Sequence, residues 1–173
     1  MGSSLPASAD NARGFDEMLA RAPGFKGYGQ RTIRRTSDAA QRDALTSRLV
    51  ALKEPLDRMA AQLMHCHRID CLAQVDGVRK LIENEIGRIR FAACDCVPFY
   101  KAETIPPESI TLIVEYDLNL HRCIDNLAQA VNGVTDQAHD LPKASWECKK
   151  IAASFRALDR ALTQRQDLLQ GIA

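Results

Sequence analysis

The feature that most constrains this chain is a regular spacing of apolar residues between residues 109 and 134. Apolar side chains recur there at intervals of three and four, the period of one face of an α-helix. They are Ile110, Ile113, Leu120, Ile124, Leu127, Val131 and Val134. The gap in this apolar seam is filled by a carboxylate, Asp117. A seam of this length predicts a helix that packs along its length against other helices.

Three further seams of the same period lie within residues 45–66, 72–93 and 148–172. Pro55 lies inside the first of them. Because the spacing continues across this proline, we predict one kinked helix there and not two. The fold class that follows is all-α, an up-down-up-down bundle of four long helices. The expected bounds of these helices are about residues 36–69, 70–93, 108–135 and 142–171.

The composition agrees with helix-on-helix packing and gives no global charge signature. Of the 173 residues, 46% are hydrophobic and 5% aromatic, which favours an aliphatic core. The 23 Lys and Arg nearly balance the 22 Asp and Glu, so the whole chain has no strong attraction to nucleic acid or membrane. The sequence has no long apolar run and no secretory signal. We therefore predict no transmembrane segment, a cytoplasmic location and reduced cysteines.

An arm, residues 1–35, precedes the predicted bundle of residues 36–173 and differs from it in composition. Its beginning is rich in Ser, Ala, Gly and Pro, which is typical of disorder. A short helix is predicted near residues 15–22. A proline at position 23 and glycines at 24, 27 and 29 disfavour helix after it. We expect the arm to be flexible or extended.

Positive charge is concentrated in the second half of this arm. Five basic residues and no acidic one occur from position 21 to 35, with Phe25 and Tyr28 among them. In one interpretation the arm binds an anionic partner, such as a phosphate, an acidic protein face or a lipid headgroup. In the other it folds back on acids of the bundle, with the two aromatic side chains as anchors. The predicted anionic-partner site comprises Arg21, Lys26, Tyr28, Arg31, Arg34 and Arg35.

Asp117 needs a partner if its seam is buried, because an unpaired buried charge costs several kcal/mol. Counting from each loop places Asp117 level with Leu52, Ile86 and Leu158. We predict that an arginine of a neighbouring helix pairs with it and fixes the register of the bundle. The arginines within reach of that layer are Arg88, Arg90, Arg156 and Arg160.

Other seam positions extend this set of buried polar residues. Arg79 and Arg165 each occupy a seam position and are also predicted to be buried. An alternative function for the layer is a ligand or metal pocket, because Asp117 and His121 share a helix face four residues apart.

The cysteines and histidines do not have the spacing of a structural zinc site, because no C-x-x-C pair is present. A free cysteine on a seam behaves as a small apolar core residue, and Cys66 and Cys148 occupy such positions. We therefore predict no metal and no cofactor. The remaining candidates for a site near one end of the bundle are Cys66, His67, Cys71 and Cys148. Phosphate-loop and nucleophile-elbow motifs are also missing from the sequence, which predicts a protein that is not an enzyme.

Three stretches together resemble uncharacterised bacterial helical proteins with a Pro-Gly-aromatic-x-Gly-Tyr opening and a basic arm. They are APGFKGYGQRTIRR at 22–35, RIRFAACDCVPFY at 88–100 and IVEYDLNL at 113–120. The resemblance implies a bacterial helical bundle and no particular activity.

These observations favour a non-enzymatic adaptor or scaffold that acts through another protein, with self-association into a homo-oligomer as one form of such contact. A metal- or small-ligand-binding bundle is the first alternative. The second is peripheral binding to anionic membrane or nucleic acid through the basic arm.

Overall fold

A computed structural model describes the backbone of residues 7–67, 69–92, 97–136 and 141–172, and the side chains of 13–67, 69, 71–92, 97–134 and 150–172. These residues form seven helices and no strand, so the predicted all-α class is confirmed. None of the described helices is long and apolar enough to cross a membrane. The helices are α1 (Ala7–Arg21), α2 (Arg31–Ala51), α3 (Lys53–His65), α4 (Ile69–Phe91), α5 (Val97–Lys101), α6 (Pro107–Asp136) and α7 (Leu141–Gln170).

The predicted single kinked helix over 36–69 is instead two helices, α2 and α3, separated by Leu52. The Leu52 amide donates to the carbonyl of Leu49 at 3.2 Å, a tighter turn than that of an α-helix. Pro55 is buried and lies in the first turn of α3. Because amides of a first turn have no partner within the helix, a proline there loses no hydrogen bond.

The long helices pack side by side. The most extensive interface joins α6 and α7, while α2 and α3 pack against both α4 and α6, and α4 also contacts α7. Gln41 contacts His121, and Arg48, two turns further along α2, contacts Asp125. Helices α2 and α6 are therefore parallel neighbours.

The N-terminal segment lies against these helices and differs from the flexible arm that the sequence predicted. Helix α1 begins at Ala7, before the predicted short helix, and packs on α6. Phe25 and Tyr28, in the loop after α1, are buried. Gly24 and Gly27 have positive φ angles of 90° and 87°, which glycine adopts without strain.

Among the described side chains, the buried apolar ones form two separate clusters. The larger, here called the aliphatic core, consists of Leu45, Leu49, Leu52, Leu56, Met59, Ala60, Leu63, Val75, Val78, Ile82, Ile86, Ile89, Leu120, Cys123, Ile124, Leu127, Ala130, Val131, Val134, Ile151, Phe155, Leu158 and Ala161. The smaller, the aromatic core, consists of Met18, Ala22, Phe25, Tyr28, Phe99, Tyr100, Ile105, Ile113, Val114, Leu118 and Leu169. The loop after α1 and helix α5 contribute most of its rings.

Candidate functional site

A layer of buried polar side chains lies between the two cores. On α7, for example, Arg165 lies between Ala161 of the aliphatic core and Leu169 of the aromatic core. The layer, here called the polar layer, consists of Tyr28, Asp38, Gln41, Arg42, Tyr100, Asp117, His121 and Arg165. Apart from Arg42, which is half-buried, all of these side chains are buried.

Two carboxylates and one guanidinium form the centre of the polar layer. Arg165 donates from Nε to Asp117 Oδ1, and from Nη2 to Asp38 Oδ1 at 2.7 Å. The Tyr28 hydroxyl donates to Asp117 Oδ2 at 2.5 Å. One arginine of α7 thus joins α2 to α6, while a tyrosine attaches the N-terminal segment to the same carboxylate.

Asp38 accepts two further hydrogen bonds on its other oxygen. The Tyr100 hydroxyl of α5 donates to Oδ2 at 2.5 Å, and Arg42 Nε donates to it at 2.8 Å. Arg42 also donates to the backbone carbonyl of Arg90 in α4, at 3.2 Å. The polar layer therefore links α2, α4, α5, α6, α7 and the N-terminal loop.

The two carboxylates have pKa values shifted in opposite directions. Burial raises the pKa of Asp117, and this cost outweighs the opposing effects of Arg165 and Tyr28. Burial also tends to raise the pKa of Asp38. Its interactions with Arg165, Tyr100 and Arg42 outweigh burial and together lower that pKa below the usual value. Asp38 is therefore firmly ionised, whereas Asp117 is the more easily protonated of the two.

His121 connects this centre to a second group of charges. Its Nε2 lies 2.8 Å from Gln41 Oε1, and its Nδ1 lies 3.0 Å from Nη1 of Arg48. Because Arg48 can only donate, we assign the neutral tautomer that carries its proton on Nε2. Burial, with repulsion from Arg48 and Arg21, lowers the His121 pKa to about 4.

Arg34, one of the predicted anion-binding residues, is buried and satisfied by backbone oxygens. Its Nε donates to the carbonyl of Tyr28 at 2.8 Å, and its Nη1 donates to those of Phe99 and Ala102. Its Nη2 donates to the carbonyl of Gly29 at 3.3 Å. These bonds hold the N-terminal loop against α5 and leave the guanidinium unavailable to a partner.

The other charged residues of the predicted arm site lie nearer the surface. Arg21 contacts Asp125 at 2.9 Å, Arg31 contacts Glu103, and the Arg35 guanidinium lies 4.6 Å from the centre of the Tyr100 ring. The Lys26 side chain is exposed. The arm site is thus divided, because Tyr28 and Arg34 are internal and the remaining cations are spread over the surface.

The arginine that pairs with Asp117 is Arg165 and not one of the four predicted from counting. Counting misplaced the layer because α2 begins at Arg31, earlier than expected, and because a further helix, α5, lies between the end of α4 at Phe91 and the start of α6 at Pro107. Asp117 accordingly lies level with Asp38 and Gln41 of α2, not with Leu52. The partner of Asp117 is therefore none of the four arginines that counting placed within reach, which were Arg88, Arg90, Arg156 and Arg160.

Arg79 is not buried as predicted, since 29% of its side chain is exposed. It donates to Asp57 and Asp76 at the surface of α3 and α4. Its Nε is buried and has no hydrogen-bond partner among the described residues, so only the outer nitrogens of the guanidinium are paired.

The candidate metal ligands are not brought together in the part of the chain that the structure describes. Cys66 is exposed because α3 ends at His65, which corrects its assignment to a seam. His67 is exposed and has a positive φ of 56°, and Cys71 is half-buried. The Cys148 side chain lies outside the described residues. No group of three potential metal ligands occurs within the described side chains.

Sequence reasoning found Asp117 and Arg165 but missed Asp38, Gln41, Arg42 and Tyr100. A signal for the first two was present, because Asp38, Gln41 and Leu45 continue the three-four spacing of the α2 seam toward the N-terminus. Tyr100 has no such signal, since α5 is a five-residue helix.

Comparison with known proteins finds no matching family model, curated protein or solved structure.

Proposed function

We propose that this chain is a non-enzymatic scaffold whose outer helix faces bind another protein. In this proposal α2 with α3, α4, α6 and α7 act as an up-down-up-down bundle of four, and the N-terminal segment is a strap across it. The hydrogen bonds within the polar layer support a structural role for the layer, since its charged groups are directed at one another.

The observation that supports a partner surface is the exposure of large apolar side chains on and beside α4. Ile69 and Phe91 of α4 are 70% and 73% exposed, and Met64, before the turn into α4, is 63% exposed. Single exposed apolar residues are ordinary. Here, however, the three most exposed of these side chains belong to α4 and to the last turn of α3. Covering a Phe or Ile is worth about 1.5–3 kcal/mol.

The test compares two double variants in cross-linking and affinity capture from extracts of the native host. Ile69→Ser with Phe91→Ser removes the α4 side chains, while Val50→Ser with Leu112→Ser removes exposed side chains of α2 and α6 as a matched control. We expect the first variant to lose a partner that the control retains, with thermal midpoints near that of the wild type. Equal capture by both variants would refute a partner surface on α4.

Self-association is the form of this proposal that needs no second protein. Light scattering on a size-exclusion column measures the molar mass and so distinguishes the two forms. The molar mass of a homo-oligomer falls on dilution and in the α4 double variant, whereas that of a monomeric scaffold stays constant.

A cytoplasmic location and a bacterial source stay predictions from the sequence. Binding of the arm to anionic membrane or nucleic acid also stays a prediction, now centred on Lys26, Arg31 and Arg35.

A further inference from the structure

A small cavity adjoins the polar layer where α2, α4 and α7 meet. Arg42, Arg88 and Arg165 line it on the polar side, and Leu45, Ile89 and Leu162 are among its apolar lining. Its volume is about 30 Å³, which admits one small polar group. The cavity thus combines guanidinium groups with aliphatic walls in a space that is open on one side.

Two of these guanidinium groups retain unused donors. Arg165 donates through Nε and Nη2, and Arg42 donates through Nε and Nη1. Arg165 Nη1 and Arg42 Nη2 donate to no residue within the described ranges. Within the described ranges, Arg79 Nε is the one buried side-chain nitrogen without a hydrogen-bond partner. The spare donors of Arg42 and Arg165 are therefore not sealed off, although the Arg165 side chain is only 6% exposed, and an acceptor in the cavity can reach them.

We propose that this cavity binds the carboxylate of a small aliphatic acid, with Arg42 and Arg165 as donors. A carboxylate matches the planar donor geometry of guanidinium groups. A short alkyl chain matches the apolar lining that half-buried Leu162 and buried Ile89 provide, and a purely inorganic anion does not use that lining. Residues of α4 line part of the cavity, but Ile69 and Phe91, the side chains of the scaffold proposal, do not, so the two proposals are tested independently.

The charge balance of the site gives binding a dependence on pH. Asp38 and Asp117 already neutralise Arg42 and Arg165, so a bound carboxylate adds one negative charge to the buried cluster. Asp117 faces Tyr28 of the loop, Asp38 of α2 and Arg165 of α7, with His121 one turn further along α6. Burial raises its pKa, so it is the group that takes up a proton as the ligand binds. Binding therefore strengthens as pH falls.

The experiment is calorimetric titration of the full chain with acetate, butyrate and hexanoate. We expect affinity to rise about fourfold for each methylene that reaches the apolar wall, until the chain extends beyond the mouth. Titrations in buffers of different ionisation enthalpy should show uptake of a fraction of one proton per butyrate. Butan-1-ol, which has the same alkyl chain without the charge, should not bind.

A matched pair of variants separates the cavity from the rest of the network. Arg42→Gln removes a donor that lines the cavity, and we expect it to weaken butyrate binding about tenfold or more. Arg48→Gln is the control, because Arg48 is also a partly buried α2 arginine paired with an aspartate but does not line the cavity. It should stay within about twofold of the wild type. If Arg42→Gln does not fold, Leu162→Trp fills the mouth without removing a charge, and it too should abolish binding.

Several results would overturn the proposal. These are undetectable butyrate binding by the wild type at millimolar concentration, equal binding of butan-1-ol, and unchanged binding in both Arg42→Gln and Leu162→Trp. Displacement of butyrate by chloride as effectively as by acetate would show a site for an adventitious ion only.

Discussion

The aliphatic core and the aromatic core are built on different principles, although they share α6 and α7. The aliphatic core consists mostly of seam residues of long helices, and those were visible as a repeating pattern, unlike small residues such as Ala60, Ala130 and Ala161. The aromatic core and the adjacent polar layer join Tyr28, Asp38, Tyr100, Asp117 and Arg165, which are far apart in sequence. Periodicity therefore identifies which face of a helix is buried, but not which buried polar groups meet.

The two regions should also respond differently to substitution. Apolar contact has no direction, so an aliphatic core tolerates changes that conserve volume. Hydrogen bonds and ion pairs are directional, and removal of one partner leaves the others buried without compensation. The predictions below use this contrast.

The largest effect is expected for Arg165→Met, which leaves Asp38 and Asp117 without their shared guanidinium. We expect a loss of about 3–5 kcal/mol in the free energy of unfolding. The control is Arg160→Met on the exposed face of α7, which should change stability by no more than about 0.5 kcal/mol. Urea denaturation of both variants measures the difference. Equal midpoints would mean that the central ion pairs contribute nothing.

Acid should weaken the polar layer through His121 before it affects the aliphatic core. The folded pKa of about 4 lies below the usual 6.5, so the unfolded chain binds the proton more readily. The free energy of unfolding should therefore decrease by up to about 3 kcal/mol as pH falls from 6.5 toward 4. His121→Gln should remove this part of the pH dependence. A wild-type profile that is flat between these pH values would contradict the neutral buried imidazole.

Substitutions that conserve shape should distinguish the two regions directly. Asp117→Asn keeps the size of the side chain but removes its charge, and we expect a cost of about 1.5–3 kcal/mol. Leu127→Met changes shape slightly within the aliphatic core and should cost less than about 1.5 kcal/mol. Denaturant midpoints give both values. A larger cost at Leu127 than at Asp117 would reverse the comparison.

The smallest effect concerns the edge of the aromatic core. Arg35 lies over the Tyr100 ring, and Arg35→Gln should cost about 0.5–1 kcal/mol through loss of this cation–π contact. Lys26→Gln, which removes an exposed cation of the same segment, should leave the thermal midpoint nearly unchanged. Equal effects of the two substitutions would indicate that only overall charge matters.

How much of the site could be predicted differs from residue to residue. The all-α class followed from the seams, and the need for an arginine partner for Asp117 followed from the cost of burying a charge. Arg165 was found as a buried residue but not as that partner, because counting along helices requires known helix starts and short connections. Tyr28 was singled out in the arm either as part of an anionic-partner site or as an anchor of the arm, whereas its hydroxyl contact with Asp117 depends on a loop whose path no local pattern specifies.

The central claim is that the polar layer attaches the N-terminal segment to the long helices. A double-mutant cycle of Tyr28→Phe and Asp117→Asn tests it most directly, because it isolates the bond between the two side chains from their separate effects on packing. We predict a coupling free energy of about 1–2 kcal/mol, as for a buried hydrogen bond to a charged acceptor. Additive effects of the two substitutions, within about 0.5 kcal/mol, would contradict the claim.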